Sequence, residues 1–165
     1  MSGSVGKRIE KKKLKAKIRF DSLNTFMKMF GLDKKVFPRV IKIGDAYHSV
    51  SPELKNTMKG IEREPEYAGE IVGEDKKGKF IPSISLIEHV AKNTDYSDRK
   101  ISLDKKSSWL FLCGRDIFKN SVKTEIERGH NIINNQHGEN IGIAFFDGKT
   151  LINLKDKGDF LRREG

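Results

Sequence analysis

Apolar positions set the first element. Leu23, Phe26, Met27 and Phe30 recur at i, i+3, i+4 and i+7, which is one stripe of a helix. Ser22 suits its N-cap and Gly31 its C-cap. The pattern then alternates. Residues 40–43 and 46–50 flank Gly44-Asp45 and predict a hairpin. Ser51-Pro52-Glu53 opens a second helix: Ser51 caps, Pro52 fits the first turn, Glu53 faces the positive end, and Gly60 marks the stop. Residues 67–72 and 79–84 are rich in β-formers and flank the charged loop 74–78, which predicts a second hairpin. Ser85 then caps a short helix with Leu86, Ile87, Val90 and Ala91 turned inward. Residues 93–106 are polar and lack periodicity, so they are expected to be a linker.

The second half changes character. The run Trp109-Leu110-Phe111-Leu112 predicts a buried strand, and Cys113 at its end a small buried hydrophobe. Gly114-Arg115-Asp116 turns the chain into one or two helical turns over 117–122. Strands follow over 131–134, 140–146 and 150–154, with turns at 136–139 and 147–149. Gly142 inside its strand marks close packing or a bulge. Short strands divided by glycine-containing turns suggest a small closed barrel, because closure removes exposed edges. The fold class expected is α+β: an N-terminal α/β domain with antiparallel strands over 18–97, then a barrel domain over 98–165.

Charge adds a third segment. The net charge of +10 is uneven. Residues 1–19 carry eight Lys/Arg against one Glu, 20–97 balance, and 98–165 carry thirteen basic against ten acidic residues. Residues 1–17 therefore read as a basic, flexible arm offering sequence-independent attraction to polyphosphate. No apolar run is long enough to cross a membrane, no secretory signal is apparent, and the single cysteine excludes an intrachain disulfide.

Catalytic and metal motifs are missing. His48, His89, His130 and His137 have no ligand-spaced neighbours, and His130 and His137 are expected in turns. There is no nucleophile elbow and no phosphate-cradling glycine loop. Glu62, Glu64, Glu66 and Glu70 cluster around Pro65 and read as a solvated acidic loop. No cofactor, metal, membrane or small-molecule substrate is expected, and no enzyme activity.

Three stretches carry a family resemblance. They are Ser108-Trp-Leu-Phe-Leu-Cys-Gly-Arg-Asp-Ile-Phe, Gly138-Glu-Asn-Ile-Gly-Ile-Ala144 and Gly158-Asp-Phe-Leu-Arg162. Together they resemble the PUA domain of the Nip-seven family of large-subunit ribosome biogenesis factors. Upstream, Ala46 to Glu53 is similar to that family's strand-to-helix join, and Lys79-Phe80 with residues 85–90 to its following strand and helix. The resemblance spans roughly 18–164, and the arm and the short turn 147–149 depart from it. It implies a C-terminal PUA-type pseudo-barrel that binds RNA, a role in processing or assembly of precursor rRNA, and protein partners docked through the N-terminal domain. The alternative is an RNA-targeting subunit of a separate tRNA- or rRNA-modifying enzyme. The chain resembles archaeal members, which implies the cytoplasm; a eukaryotic member would be nucleolar.

The RNA-contacting residues expected are Arg115, Lys119, Lys123, Lys149, Lys155, Lys157, Arg162 and Arg163. Arg115, Lys119 and Lys123 are spaced by four, as on one helical face. Guanidinium groups grip phosphate in bidentate fashion, and lysines act as point charges. A protein-interaction module with incidental basicity is the reading they oppose.

Overall fold

The structure, a computed structural model, describes residues 18–33 and 39–163. The basic arm expected over 1–17 lies outside the described residues. The chain forms two compact units, one of Phe20–Thr94 and one running on from Asp95. The division falls three residues before the one read from the sequence.

In the first unit, α1 (Leu23–Met29) begins where expected: the Ser22 hydroxyl accepts the Thr25 N–H at 3.0 Å. Its stripe turns Phe26, Met27 and, just beyond, Phe30 into the core. The antiparallel sheet has the order β1 (Val40–Ile43), β2 (Ala46–Ser49), β3 (Glu70–Lys76), β4 (Lys79–Pro82). Helix α2 (Pro52–Lys59), capped by Ser51, connects β2 to β3. Helix α3 (Ile84–Asn93) follows β4 and buries Leu86, Ile87, Val90 and Ala91. Phe26 stacks near Phe20, with ring centroids 4.8 Å apart, and Phe80 fills the sheet side of the same core. Full burial of a phenylalanine side chain stabilises by roughly 1.5–3 kcal/mol.

Two local expectations need correction here. The second hairpin has no five-residue loop, because 74–76 continue β3 and only Lys77-Gly78 turn. Both have positive φ, 52° and 72°, as a two-residue primed turn requires. The cap of α3 is Ser83, not Ser85: its hydroxyl accepts the Leu86 N–H at 3.1 Å, directly after Pro82 ends the strand.

The second unit is a five-stranded sheet curled into a half-barrel. Its order is β5 (Lys100–Ser102), β7 (Gly129–Asn134), β8 (Asn140–Phe146), β9 (Thr150–Asp156), β6 (Ile117–Phe118). The α+β class with a pseudo-barrel holds, but among the described strands β5 and β6 remain edges, so the barrel is not closed. Strand β5 lies in the stretch read as a linker. It pairs parallel to β7 and buries Ile101, with Leu103 just after it.

The largest correction is α4 (Lys105–Leu112), which replaces the strand expected at 109–112. The Asp104 carboxylate accepts the Ser107 N–H at 2.7 Å and starts the helix. Ser107, Ser108 and Phe111 are buried at helical spacing, while Trp109 points away and is 65% exposed. Cys113 caps the helix and is exposed, not buried. The helical turns expected at 117–122 are replaced by β6 and a short 3-10 turn, Lys119–Ser121. His130 is in β7 rather than a turn, with its ring 5.2 Å from that of Phe145. A five-residue helix, α5 (Asp159–Arg163), ends the unit.

Ile101, Leu103, Phe111, Ile117, Ile126, Ile133, Ile141, Ala144, Phe146 and Leu151 form this unit's core. Position 142 of β8 has no room for a side chain. A Cβ there would lie 2.2 Å from the Lys155 carbonyl oxygen, and the β8–β9 register shifts one residue later, between Ile143 and Ala144. Close packing and a bulge coincide.

Candidate nucleic-acid interface

The basic residues of the second unit divide by what surrounds them. Lys119 and Lys149 come together at one end of the sheet. Phe118 pairs with Thr150 across β6 and β9, and the next rung is the Lys119 N–H donating to the Lys149 carbonyl at 3.0 Å. The turn that carries Lys149 is fastened twice. Asp147 Oδ1 accepts the N–H groups of Lys149 and Thr150, each at 2.8 Å. Arg128 donates from Nε and Nη2 to the Asp147 carbonyl at 3.0 and 2.7 Å. Arg128 escaped the sequence reading; no local pattern shows that its fork grips a turn nineteen residues on.

Arg115 is exposed in the turn between α4 and β6. Because 117 and 118 are extended, Arg115 and Lys119 do not share a helical face as the spacing suggested. Asp116 in the same turn is engaged, accepting the Asn153 N–H at 2.9 Å, and Asn153 Nδ2 donates to the Phe111 carbonyl at 2.8 Å. These two bonds tie the turn and helix α4 to β9. Lys123 is exposed and close enough to Asp104 to act on it, as is Lys106. The Asp104 carboxyl is held below its ordinary value first by the Ser107 N–H, and then by these charges.

The remaining four residues are partly buried or paired. Lys155 and Lys157 are half-buried along β9 and just after it. Arg162, expected on RNA, holds the fold instead. Its Nη1 and Nη2 donate to the two oxygens of Asp156 at 2.9 Å each, and Nη1 also reaches the Leu112 carbonyl. The Asp156 side chain is 3% exposed and the Arg162 side chain 37%. This hydrogen bonding raises the Arg162 pKa above its already high ordinary value. Arg163 pairs with Asp159 at 2.8 Å on the surface of α5.

Five of the ten acids at 98–165 are occupied with the unit's own frame: Asp104 at a cap, Asp116 and Asp147 at turns, Asp156 and Asp159 on arginines. Arg115, Lys119, Lys123 and Lys149 are exposed and, among the described residues, make no ion pair. Of these, Lys119 and Lys149 are neighbours across the β6–β9 ladder, and Arg115 lies in the turn that precedes β6. Two aromatics of this unit are exposed, Trp109 on α4 and Phe118 on β6, the latter 69% exposed. The sequence reading missed both. Trp109 was placed in a strand, and Phe118 in a helix where no face could be assigned.

Among the described residues no cluster of three or more His, Cys, Asp or Glu has the arrangement of a metal site, and no helix is long and apolar enough to cross a membrane.

The second unit is a PUA-type domain. Residues 99–165 match the family model described as the UPF0113 PUA domain, which is the second unit nearly end to end. The fold of the chain is similar to a solved structure described as a conserved PUA domain protein from Thermoplasma acidophilum. The TM-score is 0.53 at 17% identity, over 86% of this chain and 91% of that one. Comparison with curated protein sequences yields no match.

Proposed function

We propose that the protein is a non-catalytic RNA-binding factor of ribosome biogenesis, similar to the Nip-seven family, acting on precursor large-subunit rRNA. The observation that carries RNA binding is the PUA domain itself, found over residues 99–165, with the exposed Arg115, Lys119, Lys123 and Lys149 within it. Such a surface neutralises phosphates and gains affinity by releasing counterions. The first unit supplies a second, separate surface. Its charge balances over 20–97, which suits protein docking better than phosphate, and other biogenesis proteins are the partners proposed for it. The site of action is the cytoplasm, or the nucleolus in a eukaryotic cell.

The test is to crosslink RNA to the tagged full chain in its own cells and sequence what is recovered. Enrichment of precursor over mature large-subunit rRNA is the result expected. Recovery of tRNA together with a modifying enzyme would overturn the biogenesis reading in favour of a targeting subunit. Recovery of no RNA would overturn the RNA-binding reading itself.

A further inference from the structure

We propose that Phe118 is a stacking platform for an unpaired base, with Lys119 and Lys149 holding the adjoining phosphates, so that the second unit selects single-stranded RNA. This deepens the RNA-binding reading and rests on it.

The placement follows from strand alternation. Successive side chains of a strand face opposite sides. In the two-residue strand β6, Ile117 is 3% exposed and packs in the core, which turns Phe118 outward at 69% exposure. Strand β6 is an edge of the sheet, so no further strand covers that ring among the described residues. A single exposed phenylalanine needs no explanation by itself. This one has a cation on the next residue and another across the ladder, joined by the Lys119 N–H to Lys149 carbonyl bond at 3.0 Å. Neither lysine has an ion-pair partner among the described residues. The nearby Asp147 carboxylate accepts two backbone N–H groups of its own turn.

That composition selects the occupant. Protein–protein interfaces are depleted of lysine near their apolar centres. An exposed ring at a sheet edge, with one lysine next in the chain and another on the adjoining rung of the ladder, matches instead a nucleotide, with a π-face for the ring and phosphates within reach of the flexible cations. A base inside a duplex is already stacked on both sides and cannot settle on the ring, whereas an unpaired one can. The platform therefore acts on loops, bulges and single strands.

The experiment uses the full chain and measures anisotropy of a labelled oligouridine and of a blunt RNA duplex of equal length, each over a salt series. Thermal midpoints confirm that each variant is folded. F118A is expected to weaken oligouridine binding roughly tenfold while leaving the duplex unchanged, because one base–aromatic stack is lost. F118W is expected to restore it. The K119A/K149A pair is expected to weaken both ligands and to flatten the single-strand salt dependence by about 0.7 per lysine. W109A is expected to match the parent chain. The proposal is overturned if F118A binds oligouridine like the parent, if it weakens both ligands equally, or if the loss moves to W109A. Should the full chain bind neither ligand, RNA binding fails and the platform with it.

Discussion

Arg162→Ala is the sharpest test of how the second unit is held together. The guanidinium lies between two layers: it bonds both oxygens of Asp156 at the end of β9 and reaches the last carbonyl of α4, Leu112. Removing one partner of a buried ion pair leaves a buried charge uncompensated, at about 3–5 kcal/mol when both are deep. Here Asp156 is 3% exposed but Arg162 is 37% exposed. Water entering the vacated space, or release of the short helix α5, would resolvate the carboxylate, so roughly 2–3 kcal/mol is the reasoned loss. For a unit of this size that lowers the thermal midpoint by roughly 10–20 °C. Asp156→Ala should do less harm, because a freed arginine at the surface can swing into water and a buried aspartate cannot. The double variant should therefore recover part of the sum, with a coupling of at least about 1 kcal/mol. Urea unfolding of the four chains measures all of this. Strictly additive losses, or Asp156→Ala costing more than Arg162→Ala, would refute the clamp. Below its midpoint, Arg162→Ala should bind RNA as the parent does; selective loss of RNA affinity would return Arg162 to the contact surface where the sequence first put it.

Two further outcomes follow from the caps and carboxylates. Ser83→Ala should destabilise the first unit by about 1 kcal/mol in urea unfolding, since it removes the acceptor for the Leu86 N–H, whereas Ser85→Ala should change little; equal effects would contradict the observed start of α3. Acid should act through Asp75 and Asp104, whose pKa values are both lowered in the folded chain, the first mainly by the hydrogen bond from Lys42 and the second by that from Ser107. A lowered folded value means that the stabilisation is present above the unfolded pKa of about 4 and is lost as pH falls below it. Asp75→Asn should therefore flatten the fall in urea midpoint between pH 4 and lower values, and an unchanged profile would remove Asp75 as a contributor.

Elements whose evidence was local could be read from the chain, and those decided at a distance could not. Helix α1 was legible because cap and stripe lie within a few residues of each other, and helix α2 because Ser51, Pro52, Glu53 and Gly60 mark its two ends. Strands β7, β8 and β9 were legible because their turns are marked by Gly138 and Gly148. Helix α4 was misread for a physical reason: four consecutive apolar residues satisfy a buried strand and a buried helical turn equally. Only Asp104, five positions upstream and apparently part of a linker, distinguished them, and its role depended on recognising the Ser107 N–H as its partner. That single error carried into the candidate site. It hid Trp109 and Cys113 in an imagined core, while the separate expectation of helical turns at 117–122 gave Arg115 and Lys119 a shared face. The charge pattern misled in a different way. Arg162 and Lys119 are equally basic in sequence, and nothing within either segment separates them. The difference is that Arg162 lies six residues beyond Asp156, which β9 buries, while Lys119 leaves an edge strand beside a turn whose Asp147 carboxylate accepts backbone N–H groups. Which cations a fold consumes and which it presents is settled by the long-range pairing of β6 with β9, so the surface available to a phosphate could be seen only once that pairing was known.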